Sequence, residues 1–251
     1  MAFDIQQIDA TTAPESLLRE LAAYYEIVEA EDLPGDPPTP AEAQIAEWRH
    51  PTSRYPVLRW ALTDDDGIGA VAVVTYDIEQ NLENGSLRLH VHPDKRGRGY
   101  ARAIATPVFD HLESQGRQRL DTWVKNGDVA ESLVRQLGMK RVYEDKRSRL
   151  DIADLDMDLM QSWVARARER APDYELVYYE SPLPEEMLQK FCDLAYIMNT
   201  APREDFVEED EILTPETWRE MEDNVAASKC QLHNLIAVHQ QTGDFAGYTQ
   251  I

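Results

Sequence analysis

The feature that most constrains the fold is a predicted strand that leads through a glycine-rich turn into a predicted helix. Apolar and polar residues alternate over 87–91, which predicts a half-buried strand, and Pro93 ends its hydrogen-bond ladder. The apolar spacing that follows predicts a helix beginning near Gly99. Because the first turn of a helix has backbone N–H groups without intrahelical partners, this junction is a candidate anion site.

The composition of the turn favours a phosphate-bearing ligand. The chain carries a net charge of −22, yet four basic residues and two glycines lie between residues 95 and 102. The glycines lack the side chains that would block a close approach, and the backbone N–H groups of the turn converge at the helix N-terminus. The cations Lys95, Arg96 and Arg98 add long-range attraction, so a pyrophosphate is the favoured occupant.

Two common phosphate-binding patterns do not match this turn. The Gly-x-Gly-x-x-Gly fingerprint fails because Arg102 occupies the third glycine position, and the Gly-x-x-x-x-Gly-Lys-Ser/Thr loop does not occur in the sequence. The pattern that remains is Arg-x-x-Gly-x-Ala, formed by Arg96, Gly99 and Ala101 and preceded by Val91. This pattern resembles the coenzyme A motif of the GNAT acetyltransferases.

The resemblance extends over roughly residues 56 to 152 and implies a fold and a cofactor. The implied fold class is α/β (α+β), the GNAT fold, with a central mixed twisted sheet flanked by helices. The implied cofactor is acetyl-CoA, and no metal site is expected. Asn126 lies between a predicted strand (120–125) and a predicted helix (129–137). The residues implied to contact the coenzyme are Leu89, His90, Val91, Arg96, Gly97, Arg98, Gly99, Tyr100, Ala101, Arg102 and Asn126.

The sequence departs from the family where a catalytic base is expected. Many relatives carry a glutamate on the strand before the turn, whereas this region holds Arg88 and His90. Glu83, the nearest carboxylate, lies at or before the start of the strand. His90 is the better candidate because the ordinary pKa of histidine is already close to neutral. The alternative is that His90 is an ordinary surface residue of an exposed strand face.

The expected catalytic acid is also absent from its usual place. Relatives often place a tyrosine in the helix before a Leu-Gly pair, but Val134 occupies that position here. Tyr143 and Tyr100 are the possible substitutes. Because a thiol with a pKa of about 8.5 is a good leaving group, solvent could protonate it, and loss of the tyrosine would slow the reaction without preventing it.

Internal similarity predicts a second, partial copy of the same domain. The segment 39–42 resembles 214–217, and 60–62 resembles 236–238, both at an offset of about 175 residues. The arrangement resembles the tandem GNAT proteins, of the kind that includes mycothiol synthase. The predicted organisation is a GNAT acetyl-CoA-binding domain (1–152), a connecting helix (153–173) and a partial second GNAT-like domain without its coenzyme A motif (174–251).

The second copy stops before its own equivalent of the glycine-rich turn. Truncation of a longer protein explains this, and so does a C-terminal half that serves as a packing element. The strand expected over 244–251 would have an open edge, which predicts coverage by a neighbour, as in a homodimer. Apolar residues that recur at helical spacing over 157–167 predict a buried helix face in the connecting segment.

Composition argues against several other classes of protein. With 25 basic and 47 acidic residues, the chain would repel nucleic acid, and the acidic surface favours a cationic small-molecule amine as the substrate. The two cysteines do not indicate a disulfide framework, and no apolar run is long enough for a membrane helix. We therefore expect a cytoplasmic protein without membrane or nucleic-acid partners.

Two functions remain open from the sequence. One is an acetyl-CoA-dependent N-acetyltransferase that moves an acetyl group to an amine of a small molecule or peptide by direct attack on the thioester. The other is a catalytically weak coenzyme A-binding module or scaffold domain of a tandem GNAT protein, which the missing glutamate and tyrosine favour. A nucleic-acid reader built on Arg96 and Arg98 is disfavoured because four cations do not offset the net charge.

Overall fold

The computed structural model describes residues 2–125, 129–146 and 148–251. The chain divides into two compact units, one formed by residues 1–136 and 216–230 and the other by 137–215 and 231–251. In chain order, the helices and strands are β1 (Asp4–Ile8), α1 (Glu15–Asp32), α2 (Ala41–Arg49), β2 (Val57–Asp64), β3 (Gly67–Thr75), β4 (Asn84–Val91), α3 (Tyr100–Ser114), β5 (Arg119–Asp121), α4 (Val129–Gln136), α5 (Met157–Arg170), β6 (Tyr174–Glu180), α6 (Glu185–Ala195), α7 (Pro215–Ala227), β7 (His233–His239) and β8 (Phe245–Gln250). Among these helices none is long and apolar enough to cross a membrane.

The first unit is built on a five-stranded mixed sheet with the order β1-β2-β3-β4-β5. The first four strands pair antiparallel, whereas β4 and β5 pair parallel. The predicted mixed α/β fold is thereby confirmed. The strand predicted over 87–91 is part of β4, and the helix predicted from Gly99 is α3, which begins at Tyr100.

Helices cover both faces of this sheet because its strand residues alternate between two buried clusters. One cluster joins α1 and α2 to Ala61 of β2 and Val71 of β3. The other joins α3 to Trp60 of β2, Ala72 of β3 and Leu87 of β4. Side chains on alternate strand positions point to opposite faces, so β2 and β3 contribute to both clusters. The sheet is therefore the central layer of the unit and fixes the direction of every side chain on β4.

The strand predicted over 120–125 is shorter than expected. In the structure β5 spans only Arg119–Asp121. The residues after Asp121 have the apolar composition of a strand, but they do not pair with β4. A strand assignment requires a ladder partner, which the sequence pattern alone does not show.

The second unit contains a three-stranded antiparallel sheet with the order β6-β7-β8. In chain order, β6, α6, α7, β7 and β8 repeat β1, α1, α2, β2 and β3, although nearly all of α7 belongs to the first unit. Ile236 of β7 is fully buried, and Phe191 of α6 packs on Tyr248 of β8 with ring centroids 4.7 Å apart. One helix therefore covers one face of this sheet.

The apolar stripe of the connecting helix is not buried, so the prediction of a buried face was wrong. Met157, Trp163 and Val164 of α5 are each more than half exposed, and α5 has no buried residue. Helical spacing of apolar residues shows that a face is apolar. It does not show which part of the molecule covers that face.

Candidate functional site

The sheet of the first unit opens between β4 and β5. The pairing involves only residues 84–86 of β4, where Gly85 lies opposite Leu120. Residues 87–91 pair with β3 on one side, and on the other side they meet no strand of the described chain. Two parallel strands thus diverge, and β4 is left with an open backbone edge inside the sheet.

The register of β4 shows which backbone groups face this opening. The N–H of His92 donates to the carbonyl oxygen of Gly69 at 2.9 Å, so the backbone of His92 faces β3. In an antiparallel pair, alternate residues turn their backbone groups to opposite edges, so those of Leu89 and Val91 face the opening. An extended ligand can add to this edge as a further strand.

The turn after β4 leaves the first N–H groups of α3 without partners. Gly99 is the N-cap residue in the left-handed conformation (φ 83°), and no side chain caps the helix. The first hydrogen bond runs from the N–H of Ala103 to the carbonyl oxygen of Gly99 at 3.0 Å. Within the described chain, no hydrogen bond engages the N–H groups of Tyr100, Ala101 or Arg102. These groups lie where the sequence predicts an anion site.

The two glycines of the turn are needed for backbone conformation and border open space. Gly97 (φ 76°) and Gly99 (φ 83°) both occupy the left-handed region that L side chains rarely adopt. A Cβ atom added at either position would meet no protein atom within 4 Å. The space that the glycines keep clear therefore lies outside the protein, where a ligand can approach the amides.

Lys95 does not add attraction for an anion, contrary to the expectation from its sequence position. Its side chain is buried, and its Nζ donates to Asp64 Oδ1 at 2.6 Å and to the carbonyl oxygen of Gly67 at 3.3 Å. Asp64 also accepts from the Tyr100 hydroxyl at 2.7 Å. Hydrogen bonds from Lys95 and Tyr100 hold the pKa of Asp64 far below its usual range. The lysine charge is thereby neutralised inside the protein.

Asp64 and Gly69 anchor the turn to the β2–β3 hairpin, and sequence reasoning missed both residues. The ring of Tyr100 is buried against Gly69, where an added Cβ atom would stand only 2.7 Å from a ring carbon. The hydroxyl of the same ring reaches Asp64 at the end of β2. The run of three aspartates at 64–66 was the available signal, but the sequence does not show which of them faces inward.

Arg96 and Arg98 of the turn also lie close to acidic groups. Arg96 forms a salt bridge with Glu31 near the end of α1. Arg98 lies 3.9 Å from Asp64, and its guanidinium also donates to the carbonyl oxygen of Asp94 at 3.3 Å. Three of the four cations of the turn thus have an acidic group close by, so the backbone amides are the main candidates for binding an anion there.

His90 lies on the sheet face that α1 and α2 cover, because it is opposite Val71 of β3. The hydroxyl of Tyr24 donates to its carbonyl oxygen at 2.8 Å, which ties α1 to β4. Burial lowers the pKa of the His90 imidazole below its ordinary value of 6.5, although the nearby carboxylate of Asp32 acts in the opposite direction. The ring is therefore neutral at pH 7 and can accept a proton.

Of the other predicted catalytic residues, Glu83 lies away from this junction. Glu83 precedes β4 at its opposite end, and its carboxylate is 3.2 Å from Arg119. His90 lies seven positions further along the chain, a span of about 23 Å for an extended strand. Tyr143 belongs to the second compact unit and is 43% exposed. Tyr100 donates its hydroxyl to Asp64, which raises the pKa of the phenol.

All the predicted coenzyme contacts except Asn126 lie either on β4 or in the turn that follows it. Those on β4 and those in the turn from Arg96 to Arg102 adjoin one another, because the turn follows β4 directly. Asn126 lies outside the described residues. These assignments remain predictions.

A mixed sheet that opens between two parallel strands beside an uncapped helix N-terminus defines a class of α/β protein that can hold an extended ligand with a phosphate group. Comparison with known families makes the assignment specific. Residues 21–139 match the acetyltransferase (GNAT) family, and this part of the chain is a GNAT acetyltransferase domain.

One solved structure agrees with the tandem fold. A tandem GNAT protein from the clavulanic acid biosynthesis pathway aligns with a TM-score of 0.69 at 16% identity, covering 99% of this chain and 74% of that one. The ribosomal-protein-alanine N-acetyltransferase from Brucella melitensis biovar Abortus 2308 aligns with a TM-score of 0.44 at 18% identity, covering 59% and 100%. No curated protein matches the sequence. The predicted tandem GNAT fold is confirmed by the first of these alignments.

Replacing Gly69 with alanine tests the anchoring of the turn. The new methyl group would force the Tyr100 ring away from Asp64, so we expect the free energy of unfolding to fall by about 1–3 kcal/mol, as in other overpacked sites. Gly247→Ala is the matched control, because Gly247 also lies in a strand but has no atom within 4 Å of an added Cβ. Thermal unfolding followed by calorimetry measures both variants, and equal effects would refute the anchoring role.

Proposed function

We propose that residues 1–152 form an acetyl-CoA-dependent N-acetyltransferase domain that acts on a primary amine of a small molecule or peptide. The observation that carries this proposal is the juxtaposition of two sets of unpaired backbone groups. The edge of β4 at Leu89 and Val91 suits the extended pantetheine arm. The amides of residues 100–102 suit the pyrophosphate.

Bound acetyl-CoA would supply the thioester that donates the acetyl group. On this proposal the N–H of Leu89 or Val91 donates to the carbonyl oxygen of the thioester and stabilises the negative charge that develops there. The amine nitrogen forms a bond to the acetyl carbon as the carbon–sulfur bond breaks. A backbone donor of this kind is fixed by the β3–β4 ladder and needs no rearrangement during the reaction.

His90 is the proposed general base. An alkylammonium has a pKa of about 10.4, so a proton must leave the nucleophile before attack at neutral pH. The lowered pKa of His90 keeps its ring unprotonated under these conditions. The thiolate takes its proton from solvent, because Tyr100 is hydrogen-bonded to Asp64 and a thiol of ordinary pKa is a good leaving group.

The charge of the chain supports an amine that arrives as a cation. The net charge of −22 attracts ammonium groups over a distance of about 8 Å at physiological ionic strength. Cys192 and Cys230 are thiols and not a disulfide, which supports the proposal of a cytoplasmic location.

A coenzyme-binding module without catalysis is the second candidate. It is supported by the distance of Glu83 from the turn and by the engagement of Tyr100 with Asp64, which leave His90 as the catalytic group of β4. The two candidates share the coenzyme site. They differ in whether the domain acetylates an amine with His90 as the general base.

Gly99→Val tests the coenzyme site that both candidates require. A branched side chain at φ 83° is strained and would project into the space above the amides, so we expect affinity for coenzyme A to fall roughly 100-fold, about 2.7 kcal/mol. Gly116→Val is the matched control, because Gly116 has φ 73°, equally open space and a position at the other end of α3. Isothermal titration calorimetry measures the dissociation constants, and equal affinities for the two variants would contradict the assigned site.

His90→Ala distinguishes the enzyme from the module. We expect turnover with a panel of amines to fall about 10²–10⁴-fold, as for loss of a general base, while the dissociation constant of coenzyme A stays the same. In the wild type kcat/KM should decline only as pH falls below 6.5, because the pKa of His90 is lowered, and the variant should lose this decline. His50→Ala, at an exposed histidine, is the control. A wild-type rate in His90→Ala would remove the base assignment, and coenzyme binding without turnover in the wild type would favour the module.

A further inference from the structure

Arg59 is a buried cation that forms no salt bridge with a carboxylate of the described residues. Only 7% of the residue is exposed, and its Nε has no hydrogen-bond partner. Among the described residues no carboxylate lies within salt-bridge distance of it. Arg54 is equally buried but forms a bidentate contact with Asp77, with an N–O distance of 2.5 Å. Arg54 therefore has a carboxylate at contact distance, which makes the burial of its charge tolerable, whereas Arg59 has none at that distance.

The groups around Arg59 are donors and aromatic rings, together with the carboxylate of Glu47, which raises the pKa of Arg59 without forming a salt bridge with it. Its guanidinium lies over the indole of Trp48 from α2, 5.2 Å from the ring centroid. Tyr25 of α1 contacts the same guanidinium, and burial raises the pKa of its phenol to about 12. Because this phenol is neutral, it offers a further O–H donor and no negative charge. Burial lowers the pKa of Arg59 itself, and the opposing effects of Tyr25 and of the Glu47 carboxylate offset this only in part.

A second arginine lies on the same face of the sheet. Arg59 of β2 is opposite Val73 of β3, and Val73 is opposite Arg88 of β4. Residues that are opposite in neighbouring strands point to the same face, so both arginines point to the face covered by α1 and α2. Their Cα atoms are about 10 Å apart by the spacing of two strands. Arg88 also influences the pKa of Tyr25, in the same direction as Arg59.

This row of donors lies close to the proposed base. His90 follows Arg88 by two residues on β4 and therefore points to the same face. Two strand spacings and two residues put the Cα atoms of Arg59 and His90 about 12 Å apart. Both side chains are long enough to bring the guanidinium and the imidazole to within the length of a small molecule of each other. A group held by Arg59 could thus belong to the same acceptor whose amine meets His90.

A carboxylate is the ligand chemistry that these groups fit. A guanidinium binds a carboxylate through two parallel N–H donors, and such charge-assisted hydrogen bonds are stronger when they are shielded from water. The neighbouring phenol and the second guanidinium add donors for the same anion. A cationic acceptor with no acidic group would instead meet two positive charges on this face.

We propose that the acceptor amine also carries a carboxylate, as an amino acid does, and that Arg59 binds this carboxylate with help from Tyr25 and Arg88. The proposal rests on the proposed acetyltransferase function, because the amine of the same molecule faces His90. It refines the expectation of a cationic amine: the nucleophile arrives as an ammonium group on a molecule that is anchored by its acid.

The test compares each of the common L-amino acids with its carboxamide, which lacks only the negative charge. With coenzyme A present, we expect at least one acid to raise the unfolding midpoint of the wild type more than its amide does. With acetyl-CoA, the same acid should have a kcat/KM at least tenfold above its amide. In Arg59→Met both preferences should disappear, chiefly through a higher KM.

The unfolding midpoint provides a second readout, because replacing an arginine with a purely structural role would lower it. Methionine of similar volume removes a charge without a partner, so Arg59→Met should unfold at the wild-type temperature or above. In Arg54→Met the buried Asp77 loses its partner, so the midpoint should fall by about 10 °C while the preference for acids persists. Arg59→Lys keeps the charge without the planar fork and should fold normally with a weaker preference.

The outcomes separate this proposal from the proposed function. Absence of coenzyme A binding by calorimetry would defeat the acetyltransferase domain itself. Normal coenzyme binding, together with no acid preferred over its amide in either assay, would overturn the carboxylate site alone. Retention of the preference in Arg59→Met, or a fall in its midpoint as large as that of Arg54→Met, would also overturn it.

Discussion

Backbone polar groups need hydrogen-bond partners, and this requirement governs the junction between β4 and α3. β5 leaves β4 after Ser86, so the backbone edge at Leu89 and Val91 is open. A few residues later the left-handed Gly99 starts α3 without a capping side chain. The fold thus supplies two adjacent rows of unpaired groups, and an extended molecule that ends in a pyrophosphate can satisfy both of them.

The rigidity of this junction comes from a part of the chain that does not contact the ligand in our proposal. Asp64 at the end of β2 accepts hydrogen bonds from both Lys95 and Tyr100, and Gly69, which has no side chain, leaves room for the Tyr100 ring. Three of the four cations of the turn have an acidic group close by, so the geometry of the amides outweighs the net number of cations. The acidic surface and the coenzyme site are therefore compatible.

Local features were predictable from the sequence because they depend on local chemistry. The strand before Pro93 and the helix after Gly99 follow from periodicity and from turn residues, whereas the mixed sheet was implied by the resemblance to the GNAT family. Features that depend on register were not predictable. The partner of Lys95 and the lack of a salt bridge at Arg59 are set by which residues lie opposite each other across strands. The exposed apolar stripe of α5 shows that such a stripe does not identify the part of the molecule that would cover it.

The central claim is that the amides of β4 and of the first turn of α3 bind the coenzyme. Amide hydrogen exchange with and without coenzyme A, resolved to single residues by NMR, measures this most directly. The account predicts slower exchange at Leu89, Val91 and residues 100–102 when coenzyme A is added, with little change in the second unit. Unchanged exchange at these amides under saturating coenzyme A, or protection confined to another part of the chain, would contradict it.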